Sequence, residues 1–119
     1  MNNEPAVDAN GLNANINAVI LEDEKMRELG FTDHSEKNWY YTIRVGAGVS
    51  FNLSIPKDGS RLRIDVLDEA FGQPYDYQQF LKKNPDFPFG LRVKEAVERV
   101  MKDFTEAGIL TGWKPGDYI

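Results

Sequence analysis

Residues 39–67, WYYTIRVGAGVSFNLSIPKDGSRLRIDVL, decide the fold, because apolar and polar side chains alternate through this stretch in three runs. A period of two places successive side chains on opposite faces of a β-strand, so each run predicts a half-buried strand. The apolar positions are Trp39, Tyr41, Ile43 and Val45 in the first run, Val49, Phe51, Leu53 and Ile55 in the second, and Leu62, Ile64 and Val66 in the third. The sequence therefore predicts a sheet with one apolar face and one polar face.

The two connections between these runs predict an antiparallel meander. Gly46-Ala47-Gly48 is short and flexible enough for a hairpin, and Asp58-Gly59 supplies the positive φ angles that the second reversal requires. The register that keeps apolar side chains opposite one another throughout begins with Val45 opposite Val49 and with Ile55 opposite Leu62. A slip of one residue would turn a whole strand inside out, so this register is strongly specified.

Helical periodicity appears outside the sheet region, and most strongly in residues 89–107. The apolar stripe of this segment comprises Phe89, Val93, Ala96, Val97, Val100, Met101 and Phe104. Shorter helices are predicted at about residues 20–29 and 76–83. An apolar stripe and an apolar sheet face bury each other. The predicted fold is α+β, a three-stranded antiparallel β-meander with one long C-terminal helix packed on one face and one or two short helices.

Length and composition favour one small domain. The chain has 119 residues, a net charge of −5 and no cysteine, which excludes disulfides and thiolate metal sites. Residues 1–16 are rich in Asn and show no periodicity, so we expect a flexible tail there and a single α+β domain over residues 17–119. No apolar stretch is long enough for a membrane helix or a signal peptide, so no membrane association is expected.

The polar face of the predicted sheet is the first candidate binding site. Its residues of interest are Tyr40, Arg44, Asn52, Arg61, Arg63 and Asp65. An open sheet bearing Tyr and Arg can stack bases or hold an acidic peptide. The alternative is a solvated face in which Asp65 neutralises an arginine, and the acidic net charge opposes affinity for phosphates.

Aromatic residues on irregular segments form the second candidate site. The residues singled out are Tyr75 and Tyr77 in the segment 75–89, and Trp113 and Tyr118 near the C-terminus. Large aromatic side chains usually bury in the core, but protein interfaces also select them. The sequence is compatible with both interpretations.

No arrangement of residues in the sequence predicts catalysis, a metal site or a cofactor. Asp65, Asp68 and Glu69 lack calcium-loop or nuclease spacing, and they are better explained as solvated residues at the end of a strand. His34 lies in a polar loop with no nucleophile marked beside it. We therefore expect a protein that is not an enzyme and that uses no cofactor.

Three stretches carry a resemblance to a known group of proteins. They are Leu29-Gly30-Phe31, Ile64-Asp65-Val66-Leu67-Asp68 and the C-terminal Gly112-Trp113-Lys114-Pro115-Gly116-Asp117-Tyr118-Ile119. Through these stretches the chain resembles small uncharacterised proteins of bacteriophages and prophages of Gram-positive bacteria, and the resemblance covers residues 20–119. The resemblance implies a phage accessory role in a bacterial cytoplasm, and it brings no activity or catalytic residue.

Two functional hypotheses follow. The first is a non-enzymatic accessory protein that binds a protein partner through the polar sheet face, the aromatic segment or the C-terminal tail. The alternative is a nucleic-acid-binding module that uses the polar sheet face. Because a three-stranded sheet leaves two edges exposed, pairing with a second copy into a homodimer is also open.

Overall fold

The structure is a computed structural model that describes residues 6–8, 13–14, 16–59 and 62–114, with backbone alone for 6–8 and 13–14. Its strands are β1 (Ala6–Asp8), β2 (Asn13–Ala14), β3 (Asn17–Ala18), β4 (Asn38–Gly46), β5 (Val49–Pro56), β6 (Arg63–Asp68), β7 (Gln73–Pro74) and β8 (Leu110–Thr111). Its helices are α1 (Asp23–Glu28), α2 (Tyr77–Lys83) and α3 (Pro88–Glu106).

The predicted meander forms the centre of the main sheet. Strands β4, β5 and β6 are antiparallel neighbours, and Ile43 lies opposite Phe51 as the alternation predicts. The strand order is β2-β1-β6-β5-β4, with β7 also paired to β6 and with β1 running parallel to β6. Strands β3 and β8 form a separate two-stranded sheet. The α+β fold class is therefore confirmed, and the meander is extended by short strands.

One predicted pair is wrong at the first hairpin. Gly46, not Val45, lies opposite Val49, and the register shifts between Arg44 and Gly46. Gly48 adopts a φ of 73°, which lets the hairpin close tightly and leaves Val45 as the additional residue of a β-bulge. Alternation alone does not show a bulge, because the flanking pairs keep the same faces.

Helix α3 covers the apolar face of the sheet, as predicted. Val93, Val97, Met101 and Phe104 are buried on its inner side. Phe104 meets Tyr41 of β4 edge to face, with 4.8 Å between ring centroids. Near the start of α3, a Cβ atom on Gly46 would come within 2.9 Å of the Phe89 ring, so the missing side chain lets the helix approach β4 closely.

Both α1 and α3 end in Schellman motifs, as the positions of Gly30 and Gly108 predict. Gly30 has a φ of 100° and Gly108 a φ of 86°. The amide of Phe31 donates to the carbonyl of Met26 at 3.0 Å, and that of Ile109 donates to Phe104 at 3.0 Å. These turns direct Phe31 and Ile109 back into the core, where both are buried.

The segment that precedes the central fold takes part in strand pairing. β1 pairs with Arg63 and Ile64 of β6, and β2 pairs with β1. Ile16, the last residue of the expected tail, is buried in the core. The expected flexibility of residues 1–16 stays a prediction, because most of this segment lies outside the described residues. Strands of two or three residues are too short to show periodicity, so the sequence does not predict them.

Phe51 is the sharpest test of the core. It lies in the middle of β5 and is 0% exposed, so Phe51→Ala is expected to lower the free energy of unfolding by about 3–5 kcal/mol. Ile43→Ala is the matched control, because Ile43 lies opposite Phe51 but is 38% exposed, and its loss should be about 1 kcal/mol or less. Urea denaturation of both variants measures the difference. Equal losses would contradict the assigned core.

Candidate functional site

The register of the meander aligns the polar face in rows across β4, β5 and β6. Tyr40, Ser54 and Arg63 form one row, and Thr42, Asn52 and Asp65 form the next. Arg44 lies opposite Ser50 above them. We call these eight residues the polar face. The rows agree with the pairing that the sequence predicts.

Hydrogen bonds along β4 and β5 fix the middle of the polar face. The Thr42 hydroxyl donates to Asn52 Oδ1 at 2.9 Å, and Asn52 Nδ2 donates to Ser50 Oγ at 3.0 Å. The amide of Asn52 is thereby oriented toward Ser50. Asp65 lies beside Asn52 on β6, but it receives no hydrogen bond from this chain of contacts.

Arg44 is committed to an ion pair at one end of the polar face. Its Nη2 lies 2.9 Å from Glu69 Oε1, and the Arg44 side chain is well exposed. An exposed pair of this kind contributes little to stability, about 0–1 kcal/mol. It does neutralise Arg44, so this guanidinium has less positive charge to offer a phosphate.

A pocket of about 450 Å³ opens at the other end of the polar face. It is lined by Asn38, Tyr40, Ser54, Pro56, Arg63 and Asp65, and we call it the charged pocket. Asp65 Oδ1 is buried and accepts no hydrogen bond in the described structure. Within that same part of the chain, no ion pair or hydrogen bond engages the Arg63 guanidinium. The pocket therefore holds two charged groups, Arg63 and the Oδ1 atom of Asp65, that have no partner among the described residues.

The remaining predicted site residues are scattered. Tyr77 is fully buried, so its ring belongs to the core and cannot contact a partner. Trp113 is 9% exposed and packs against the same core. Arg61 and Tyr118 lie outside the described residues. The structure thus does not bring Tyr75, Tyr77 and Trp113 together into one surface.

Tyr75 belongs instead to a cluster of aromatic rings between β7 and α3. Its ring centroid lies 5.4 Å from that of Phe80 and 5.8 Å from that of Phe89. Burial raises the pKa of the Tyr75 phenol, and the negative charge of Asp68 raises it further. Phe80 is 46% exposed and Phe71, in the preceding turn, is 75% exposed. The cluster is thus a half-buried border of the core in which the Phe80 ring is accessible, and the exposed Phe71 lies in the turn before it.

A second cluster covers the indole ring of Trp39. Lys57 Nζ lies 4.6 Å and Arg27 Cζ lies 5.5 Å from the centre of the ring. Asp33 holds both cations, with its Oδ2 atom 2.9 Å from Arg27 and 3.9 Å from Lys57. The hydrogen bond from Arg27 lowers the pKa of Asp33, and the nearby positive charges act in the same direction. These contacts serve the fold, since every charged member has a partner.

The outer edge of β4 is a structural feature that the sequence does not locate. The backbone N–H and C=O of Tyr40 both bond with Thr32, so they point away from β5. In a regular antiparallel strand, alternate residues share this direction, which turns the backbone groups of Thr42 and Arg44 outward as well. Within the described residues, nothing bonds to them. We call residues 42–44 the open edge.

The other side of the sheet is closed. β1 pairs with Arg63 and Ile64, and β7 pairs with Leu67 and Asp68, so both ends of the outer edge of β6 are covered. The sequence predicts two free edges of the meander, and within the described residues the edge of β4 is open over residues 42–44 while that of β6 is covered at both ends. The edge of β6 is covered by β1 and β7, which are too short to show periodicity, so the sequence does not predict which edge stays open.

The part of the chain that the structure describes contains neither a cluster of metal ligands nor a helix that could span a membrane. No group of three or more His, Asp or Glu side chains there is arranged to hold a metal ion. No helix among those residues has the length and apolar character required to cross a bilayer.

Comparison with known proteins establishes a likeness of fold. No model of a protein family matches the chain, and no curated protein sequence matches it. A solved structure of a DUF1831 family protein from Lactobacillus plantarum is similar, with a TM-score of 0.61 and 14% sequence identity. The match covers 80% of this chain and 82% of that one. At this identity the likeness concerns the α+β fold and carries no function.

The unpartnered carboxylate of Asp65 leads to a stability prediction. A buried acceptor without a donor destabilises the folded state, and a neutral amide is less costly there than a carboxylate. We expect Asp65→Asn to raise the free energy of unfolding of the protein alone by about 0.5–1 kcal/mol. Asp68→Asn is the control, because Asp68 Oδ1 accepts from the amide of Ala70 at 3.0 Å and the Asn oxygen can accept the same bond, so this change should leave stability nearly unchanged. A loss of stability in Asp65→Asn, measured by urea denaturation, would contradict the assignment.

Proposed function

We propose that this protein binds a protein partner by pairing an extended segment of that partner with the open edge of β4. The observation that carries the proposal is the outward backbone groups of Thr42 and Arg44, which have no partner in the described structure. Another polypeptide backbone supplies donors and acceptors at the matching spacing. The proposal includes the phage accessory role that the sequence resemblance implies.

The surroundings of the open edge support an added strand. Thr32 already occupies the same edge at Tyr40, with N–O distances of 2.8 and 2.9 Å, which shows that an extended segment fits beside β4. Natural proteins usually protect an exposed edge with proline or inward-pointing charge. Residues 42–44 contain no proline, and Arg44 points to the polar face, where Glu69 neutralises it.

Ile43 gives the open edge a side-chain preference. It belongs to the apolar face of β4 but is 38% exposed, because it lies at the border of the area that α3 covers. A strand added beside β4 would place one of its side chains next to Ile43. Cross-strand pairs of β-branched or aromatic residues contribute about 0.2–1 kcal/mol relative to alanine. We therefore expect an apolar residue at that position of the partner.

A second copy of this chain fits the open edge less well. In a two-fold antiparallel pair centred on Ile43, the hairpin end of the copy at Gly46 would meet Tyr40, where Thr32 already binds. A pair centred on Arg44 would set two guanidinium groups opposite each other, which is destabilising. A pair centred on Thr42 would direct Arg44 of the copy to the occupied position at Tyr40. These conflicts favour a different protein over a homodimer.

The nucleic-acid alternative has weaker support from the arrangement of charge. Binding to phosphates requires several free cations, whereas Arg44 is neutralised and Arg63 lies next to Asp65 on the same face. The net charge of −5 also opposes the approach of a polyanion.

Substitution of Thr42 tests the open edge directly. Thr42→Pro removes the outward N–H, and proline is tolerated on an edge strand where the N–H faces solvent. We expect the affinity for the partner to fall at least about tenfold, which corresponds to 1.4 kcal/mol. Thr42→Val is the matched control, because it removes the hydroxyl that donates to Asn52 but keeps the backbone N–H. This control should bind as the natural protein does.

The partner for this test is identified by affinity capture with tagged natural protein, Thr42→Pro and Thr42→Val in parallel. A protein retained by the first and third but not by the second is the expected result. In its complex, amide hydrogen exchange at Thr42 and Arg44 should slow markedly, while Tyr40 should change little because Thr32 already protects it. A partner that binds Thr42→Pro as tightly as the natural protein contradicts the proposal. So does self-association that the proline variant abolishes.

Gel retardation distinguishes the nucleic-acid alternative. We expect neither single-stranded nor double-stranded DNA probes to be retarded at low salt by the natural protein. Retardation that weakens steeply with added salt and is reduced by Arg63→Ala would favour the alternative over the open edge.

A further inference from the structure

We infer that the charged pocket binds a small zwitterion that carries an ammonium group and a carboxylate, such as a free α-amino acid. This inference goes beyond the proposed function, because the pocket lies on the polar face and the proposed partner binds along the backbone of β4. It rests on two opposite charges that share one pocket without satisfying each other.

The first charge is the carboxylate of Asp65. Its Oδ1 atom is buried and has no donor in the described structure. The nearest polar neighbours across the strand are directed elsewhere, since the hydroxyl of Thr42 donates to Asn52 and the amide of Asn52 donates to Ser50. Buried polar atoms in folded proteins are usually satisfied, so a donor beyond the described residues is expected at this carboxylate oxygen, and a bound ligand can supply it. An ammonium group supplies up to three N–H donors and the compensating positive charge.

The second charge is the guanidinium of Arg63. Arg63 and Asp65 are two residues apart on β6, so their side chains emerge on the same face. They are not within ion-pair distance of each other, and no other described residue pairs with Arg63. A guanidinium binds a carboxylate through parallel N–H donors. One ligand with both groups would therefore satisfy both residues.

The rest of the charged pocket suits the remainder of an amino acid. Its volume of about 450 Å³ lies within the range of about 300–1,000 Å³ typical of small-molecule sites. Tyr40, which is 39% exposed, adds an aromatic ring to the lining, and Ser54 and Asn38 add polar groups. A ligand with only one of the two charges would leave Asp65 or Arg63 unpaired.

The test uses three matched probes that differ only in their charged groups. L-phenylalanine carries both, 2-phenylethylamine lacks the carboxylate, and 3-phenylpropionate lacks the ammonium. Binding to the full-length protein is followed by the backbone amide NMR signals of Ser54, Arg63 and Asp65, with L-glutamine as a second amino acid. We expect both amino acids to shift these signals with saturation by about 10 mM, and each single-charge probe to bind at least about tenfold more weakly.

Variants assign the two charges. Asp65→Asn should weaken L-phenylalanine at least about tenfold and leave 3-phenylpropionate unchanged, whereas Arg63→Met should weaken L-phenylalanine and leave 2-phenylethylamine unchanged. Arg44→Met is the control, because Arg44 lies on the same face but is paired with Glu69 outside the pocket. Dispersed amide spectra show that each variant is folded.

The inference is overturned if neither amino acid shifts the pocket signals, or if the single-charge probes bind as tightly as L-phenylalanine. It is also overturned if Arg44→Met weakens binding as much as Arg63→Met. Thr42→Pro should leave L-phenylalanine binding unchanged, so failure at the open edge and failure at the pocket are told apart.

Discussion

The burial of one apolar sheet face beneath α3 is the constraint on which the rest of the molecule depends. Phe51 lies at the centre of this contact, with Ile43 and Val66 as its cross-strand neighbours. Since side chains alternate along a strand, burying Phe51 forces Asn52 and Ser50 to the other face. The rows of the polar face, the charged pocket and the outward backbone groups of β4 are all consequences of that choice of face.

Alternation allowed the sequence to predict the meander, its register and both polar rows, because each of these follows from a period of two. Helix α3 and the Schellman turns at Gly30 and Gly108 were predicted from equally local signals. The bulge at Val45 and the short strands were not, because they depend on how the chain closes in three dimensions. Two residues such as Gln73 and Pro74 contain no periodic pattern, and what places them is the free edge of β6.

For the candidate sites, too, the sequence predicted which residues share a face but not which contacts they make. Tyr40, Arg63 and Asp65 were recognised as facing one side of the sheet, and the structure places them around one pocket. The lack of a donor for Asp65 Oδ1 within the described residues could not be inferred from the sequence, because it depends on the direction in which the amide of Asn52 turns. For Tyr77 the sequence left a core role and an interface role open, and its burial reflects the docking of α2 against α3, which a single sequence does not reveal. The open edge follows from topology alone.

The outer edge of β6 is covered by two short strands. The strand that pairs with Arg63 and Ile64 is β1, in the N-terminal segment. Proteolytic removal of the chain through Asp8 would therefore uncover a row of amide and carbonyl groups beside an apolar core. Uncovered rows of this kind template pairing between molecules, which leads to aggregates and, for sequences of high β-propensity, to fibrils. The pairing of β1 with Arg63 and Ile64 therefore bears on the solubility of the protein as well as on the extent of its sheet.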